Sequence, residues 1–222
     1  MASTRDDLFA AIDGGDVDAV RSMLDEEPSL ASSRDAEGVS ALMRARYRFD
    51  RALVAALKPH VSRLDVFEAA SFGDLDRVTA LLDTDPSLAN ARSGDGFTVL
   101  HFAAFFGQVD AVTLLVERGA EVDALGSGWM TGTALHSAAS GSHADIAKIL
   151  LEAGADPNVR QSGGWSPLHA AAGNGDAETV RILLAHGADV SATSEDGRDA
   201  RSLADESGDP DTIALLGAQA DA

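Results

Sequence analysis

The apolar residues of "GFTVLHFAAFFG", residues 96–107, fall in helical rather than alternating order. Leu100, Ala103 and Ala104 are spaced i, i+3, i+4 and share one face, which predicts a helix running from about Val99 to Phe106. Gly107 follows as its terminator. Val112, Leu115 and Val116 repeat the spacing and predict a second helix, closed by Gly119. The pattern is helix, turn, helix, loop, and the alanines allow the helices to pack at close range. With Leu100 at zero and about 100° per residue, Ala103 and Ala104 lie near about 300° and about 40°. Phe102, Phe105 and Phe106 fall near about 200°, 140° and 240°, on the opposite side. The core of their own unit does not account for these three phenylalanines.

The pattern recurs. "TVLHFAAFFGQVDAVTLLVERGAEVDA" begins at Thr98, "TALHSAASGSHADIAKILLEAGADPNV" at Thr133 and "SPLHAAAGNGDAETVRILLAHGADVSA" at Ser166. Their histidines are His101, His136 and His169, so the period is about that of a repeat array. Weaker copies place Phe9, Met43 and Phe67 at the histidine position before them, and Ser202 after them. The second copy is short, and "KPHVSRLD" replaces the segment that would form a hairpin before the third. "DPSLAN" at 85–90 matches "EPSLAS" at 27–32, as loop variants of the other units' "GAD" segments. "DG" at 95–96 and 196–197 marks tight turns between units.

In period and in the T-x-L-H-x-A-A, V-x-x-L-L and G-A-D-x-N elements, the chain resembles the ankyrin repeat family, in the style of stand-alone bacterial members. The resemblance covers nearly the whole sequence. It implies an all-α solenoid of about seven helix-turn-helix units with short β-hairpin-like loops and a shortened second repeat. The expected units are 4–36, 37–60, 61–94, 95–127, 128–161, 162–194 and a C-terminal cap at 195–219, all in one domain. A single such unit cannot bury its apolar faces, so stacking must do so, and terminal units need a polar outer face. Arg201, Ser202 and Asp205 stand where Leu, His and Ala are expected, as a cap requires.

Composition narrows the function. At 222 residues and 45% hydrophobic, the chain can build a substantial core. With no cysteine, it has no disulfide or thiolate chemistry. The N-terminus "MASTRDDLFA" lacks a signal-peptide apolar run, and no stretch reaches the ~18 apolar residues of a membrane span. A cytoplasmic monomer is expected. The formal charge of −19, from 36 acidic and 17 basic residues, disfavours nucleic acid, whose phosphates would be repelled. An acidic surface with two lysines, Lys58 and Lys148, also suits high salt, so a salt-adapted scaffold is one alternative.

Little points to catalysis. Histidines on stacked repeats stand about 10 Å apart, too far to share a metal ion bound at about 2 Å. Hydrogen bonding to nearby backbone within each repeat is their expected role. No nucleophile elbow, P-loop or dinucleotide fingerprint is present. No enzyme activity, cofactor or metal is expected. The competing reading is a small ligand or an enzymatic role in the hollow of repeats 4–6, where Ser137, Ser140, Gly141, Ala170, Gly173 and Asn174 are small.

The expected function is non-catalytic binding of a protein partner. The resemblance implies that such arrays use the concave helical face and the hairpin tips. On the first, the candidates are Phe72, Phe102, Phe105 and Phe106, with Arg44, Tyr47 and Arg48 in the one basic segment, "RARYRFDR". On the second they are Trp129 and Met130 in "GSGWMTG" and Trp165 in "RQSGGWSP". Tryptophan at loop tips is enriched in binding hot spots. Burial between neighbouring repeats or hairpins, and salt bridging for the arginines, are the competing fates of these side chains.

Overall fold

A computed structural model describes residues 4–127 and 131–218. They form seven helix pairs: α1 (Arg5–Gly14) and α2 (Val17–Glu26), α3 (Ala41–Tyr47) and α4 (Arg51–Leu57), α5 (Val66–Phe72) and α6 (Leu75–Thr84), α7 (Val99–Phe105) and α8 (Val109–Glu117), α9 (Ala134–Ser140) and α10 (Ala144–Glu152), α11 (Pro167–Gly173) and α12 (Ala177–Ala185), α13 (Ala200–Ser207) and α14 (Pro210–Ala218). No strand occurs among the described residues. Isolated antiparallel bridges at Arg34–Ser40, Arg92–Thr98 and Thr193–Asp199 make the loops hairpin-like. This is the expected all-α repeat solenoid.

The first helices begin at side-chain caps. Thr4, Ser40, Asp65, Thr98, Thr133, Ser166 and Asp199 directly precede them, and each is a residue type that accepts a backbone N–H. Asp65 accepts the Glu68 amide at 2.8 Å, and Glu68 accepts the Asp65 amide at 2.9 Å. The cap fixes the register. Counting three residues inward reaches Asp7, Met43, Glu68, His101, His136, His169 and Ser202. Met43 and Ser202 therefore hold the histidine position, as the repeat spacing predicts. In the first and third repeats the position belongs to Asp7 and Glu68, not Phe9 and Phe67. Those phenylalanines drew the apolar alignment because the helices after them are out of step by one or two residues.

The chain divides into two compact units. Unit 1 holds the residues up to Glu68 with Ser93–Asp95. Here α1 packs on α3 and α2 on α4, burying Leu8, Ile12, Leu24, Leu42, Leu53 and Leu57. α4 runs directly into a 3-10 turn, Lys58–His60, with no described bridge before α5, so the hairpin before the third repeat is missing. Residues 93–95 approach the 34–40 loop instead. A Cβ on Gly94 would lie 1.5 Å from the Glu37 carbonyl oxygen, so only glycine fits.

Unit 2 holds Ala69–Arg92 and the residues from Gly96 onward. α7, α9, α11 and α13 pack in succession, and α6, α8, α10, α12 and α14 form the second row. Ala103, Ala104, Ala138, Ala139, Ala171 and Ala172 are fully buried, and their small size sets the close helix spacing. The "PSLAN" segment is a 3-10 turn, Pro86–Asn90, pinned by buried Ala89. At the end of the array Arg201 donates to the Leu216 carbonyl at 2.8 Å and Asp205 is exposed, giving the last pair its polar outer side.

Candidate interaction surfaces

The three repeat histidines are structural. His101 Nδ1 accepts the Thr98 amide at 3.3 Å, and its Nε2 lies 2.9 Å from the Gly132 carbonyl oxygen. A carbonyl only accepts, so the proton is on Nε2. His136 repeats the arrangement with Thr133 and the Trp165 carbonyl, and His169 with Ser166 and the Arg198 carbonyl. Each imidazole caps its own helix and bonds the loop that opens the following repeat. The expected bond within the repeat is thus only half of the role. Burial pushes all three below the ordinary histidine range, His136 to about 4.

Phe105 and Phe106 are partly exposed and meet edge to face at 5.2 Å between ring centroids. The surface beside them is lined by small residues. A Cβ on Gly141 would come within 3.1 Å of the Phe105 carbonyl oxygen, so the α9 turn lies directly against the backbone at the end of α7 that carries the aromatic pair. Asn174 donates to the Ala139 and Ser140 carbonyls at 3.2 and 3.0 Å and ties the α11 turn to it. Exposed Ser140, Gly173 and Asn174 continue the face. His143, at the start of α10, lies 3.1 Å from the Phe105 carbonyl oxygen through Nε2 and packs its ring on Gly107.

Phe102 corrects the helical-wheel reading. It is 4% exposed and packs edge to face on buried Phe97, with centroids 6.2 Å apart. The equivalent positions Ser137 and Ala69 are buried too. The wheel is right about the direction of Phe102 relative to its own core. It omits the preceding loop, whose Phe97 packs on Phe102; in α7 and α9 only the last turn is left open. Phe72, at the end of α5, is half-buried.

The hairpin candidates divide. Trp129 and Met130 lie outside the described residues. Trp165 is part-buried, with its ring 5.5 Å from the His169 ring and the Arg198 guanidinium 5.6 Å from its centroid. Arg198 belongs to the next loop, so Trp165 works between hairpins rather than as an open tip.

In unit 1 the basic segment is mostly engaged. Arg44 makes a forked contact with Asp13 at 2.8 and 3.0 Å, which lowers the Asp13 pKa. The Tyr47 hydroxyl donates to Asp95 at 2.5 Å, and burial first and this carboxylate second push the phenol up. Burial holds Arg46 down to about 10. Arg48 and Arg51 are exposed. Sequence reasoning did not single out Phe49, which is 66% exposed in the turn between α3 and α4. Its signal was present: every other repeat has Gly or Ser at that place.

No group of three or more potential metal ligands occurs among the described residues, and no described helix is long and apolar enough to cross a membrane. The ankyrin-repeat (3 copies) family profile matches residues 66–161 and 153–222. Among curated proteins, the E3 ubiquitin-protein ligase XB3 of Oryza sativa subsp. japonica is 47% identical over 62 residues, 28% of this chain and 14% of that protein. Ankyrin repeat and SAM domain-containing protein 6 of Rattus norvegicus is 41% identical over 69 residues, 30% of this chain and 8% of that protein. Palmitoyltransferase Hip14 of Drosophila melanogaster is 31% identical over 139 residues, 63% of this chain and 21% of that protein. The chain thus spans a small fraction of the length of each of these relatives. With the family profile covering most of the sequence and the capped helix pairs recurring along it, the chain belongs to the ankyrin-repeat family.

Proposed function

We propose that this chain is a non-catalytic module that binds a partner protein through the last turns of the first helices in unit 2, around Phe105 and Phe106. The observation that carries this reading is the pairing of two partly exposed aromatic rings with a neighbouring floor of Ser140, Gly141, Gly173 and Asn174. Bulky apolar groups beside small ones form a step into which a partner's side chain can seat, and aromatic anchors contribute most where water is excluded around them. The three histidines are held by cap and carbonyl bonds, so they support packing rather than proton transfer. The same reading places the protein in the cytoplasm as a monomer, without nucleic acid or cofactor.

The test is co-purification from native lysate with wild type and a Phe105→Ser/Phe106→Ser double variant, after circular dichroism confirms that the variant is helical. A partner captured by wild type and lost by the folded variant is the expected result. Equal capture by both proteins refutes the aromatic face as the site.

A further inference from the structure

The chain has three asparagines, Asn90, Asn158 and Asn174, and only Asn174 is followed by glycine. That pair has a chemistry the other two lack. The backbone nitrogen of the following residue can attack the asparagine side-chain carbonyl carbon, and glycine carries no side chain to obstruct the approach. Asn174 is exposed, so water and hydroxide reach it. The fold also requires the glycine. Gly175 has φ 65°, and a Cβ on it would lie 2.9 Å from the Asp209 Cβ, so neither its conformation nor the space beside it favours another residue.

The native turn opposes that attack. The cyclic imide closes only when the Gly175 nitrogen is eclipsed with the Asn174 Cβ about the Cα–C bond. At ψ −10° the nitrogen is eclipsed with the Asn174 backbone nitrogen instead. The Gly175 amide donates to the Ala172 carbonyl at 3.1 Å, which engages the proton that must leave. The Asn174 side chain donates to the Ala139 and Ser140 carbonyls at 3.2 and 3.0 Å, which fixes its amide on the α9 turn. Rotation about the Asn174 Cα–C bond would break these bonds together, so the reaction waits for local opening of the turn.

We propose that Asn174–Gly175 is a conditional deamidation site, closed while the α11–α12 turn is formed, reactive when the turn opens, and unable to restore the tie to α9 once converted. In the open turn hydroxide takes the Gly175 amide proton, and the nitrogen attacks Asn174 Cγ. A new Cγ–N bond forms, the Cγ–Nδ2 bond breaks, and ammonia leaves with a proton supplied by water. Water then opens the imide at either carbonyl, giving aspartate or its β-linked isomer. A carboxylate has no proton to donate, so the Ala139 and Ser140 carbonyls lose this donor and face a negative charge. The β-linked isomer also adds an atom to the main chain of the turn. An opening that the native chain reverses thus becomes permanent between α9 and α11. The inference stands whether or not a partner binds at Phe105 and Phe106.

The test incubates the full chain in mildly alkaline buffer, folded and in urea, and follows the peptides carrying Asn90, Asn158 and Asn174 by mass spectrometry. In urea Asn174 should convert roughly tenfold or more faster than in the folded chain, and faster than either other asparagine. Equal conversion of Asn174 in the folded and urea-treated chains overturns the inference, because the turn would then hold nothing off. Conversion in urea no faster at Asn174 than at Asn90 and Asn158 overturns it as well, because the following glycine would then confer no reactivity. Asn174→Asp mimics one product and should melt roughly 2–4 °C below wild type at neutral pH. An unchanged melting temperature refutes the claim that the converted turn cannot restore its tie to α9.

Discussion

Acidification should destabilise this protein before most of its carboxylates titrate, and the repeat histidines are the reason. His136 is 1% exposed, its Nδ1 accepts the Thr133 amide at 3.1 Å, and its pKa falls from 6.5 to about 4 on burial. A proton added to Nδ1 would face an N–H that can only donate, so the charged ring loses its cap bond as well as its hydration. The unfolded chain takes up this proton near pH 6.5 and the folded chain only near pH 4, so stability is full above 6.5 and is lost as the pH falls toward 4. At about pH 5 the loss from His136 alone is about 2 kcal/mol, and it approaches about 3 kcal/mol once both states are protonated. For a chain of this size that is a drop of roughly 4–8 °C in melting temperature. His101 and His169 are shifted in the same direction and deepen it.

Other groups act in other windows or with the opposite sign. The carboxylates of Asp13, Asp199 and Asp209 are held below the usual range by their hydrogen bonds, so their stabilisation is lost only at lower pH. Glu68 is raised, chiefly by burial and then by Asp65, so its folded form takes up a proton first and it gains stability as pH falls. The assay is thermal melting by circular dichroism from about pH 7.5 to about pH 4.5, for wild type and His136→Gln. The variant should be less stable at neutral pH but show a shallower slope. A flat wild-type profile across this range, or an unchanged slope in the variant, refutes the mechanism. Proton NMR of the His136 ring would check it directly, because the ring should stay neutral until about pH 4 while the protein is folded.

Two further substitutions probe the loops. Gly94→Ala should destabilise unit 1 by about 1–3 kcal/mol, because its Cβ would lie 1.5 Å from the Glu37 carbonyl oxygen and must force two loop backbones apart. An unchanged urea midpoint would refute that close approach. Asp123→Asn should stabilise unit 2 by about 1 kcal/mol. Asn90 donates to the Gly119 carbonyl at 3.1 Å and accepts the Glu121 amide, and Asn158 does the same with Gly187 and Asp189. Asp123 accepts the Asp156 amide but has no proton to give, and burial with the nearby Asp156 raises its pKa. A higher melting temperature in the asparagine variant is the expected result.

Much of the fold was legible because it is written locally and repeatedly. The helical spacing of Leu100, Ala103 and Ala104, the glycines that end helices and the recurrent T/S-x-x-H each specify structure within a few residues. Their agreement along the chain identifies the repeat. What remained hidden depends on neighbours. A helical wheel sees one helix, so it turned Phe102 outward and missed the adjacent elements that cover it. Alignment on apolar residues chose Phe67, whereas the reciprocal bonds of Asp65 and Glu68 put the third repeat's start one residue later. Cap chemistry, read as Ser, Thr or Asp followed three residues on by a polar side chain in six of the seven repeats, is a safer guide to register here than hydrophobicity.

The same distinction separates the candidate surfaces. Arg44 and Tyr47 were chosen for what their side chains could bind, but Asp13 and Asp95 are distant in sequence and already hold them. Phe49 was overlooked because a lone phenylalanine between Arg48 and Asp50 has no periodic partner. Yet its signal needed no coordinates: set the seven helix–helix turns in register, and a phenylalanine stands where five glycines and a serine are found. In a repeat array the shared residues describe the scaffold, since every unit must solve the same packing problem. A departure such as Phe49, at a left-handed point where five units place glycine, therefore marks where one unit solves the turn differently from the others.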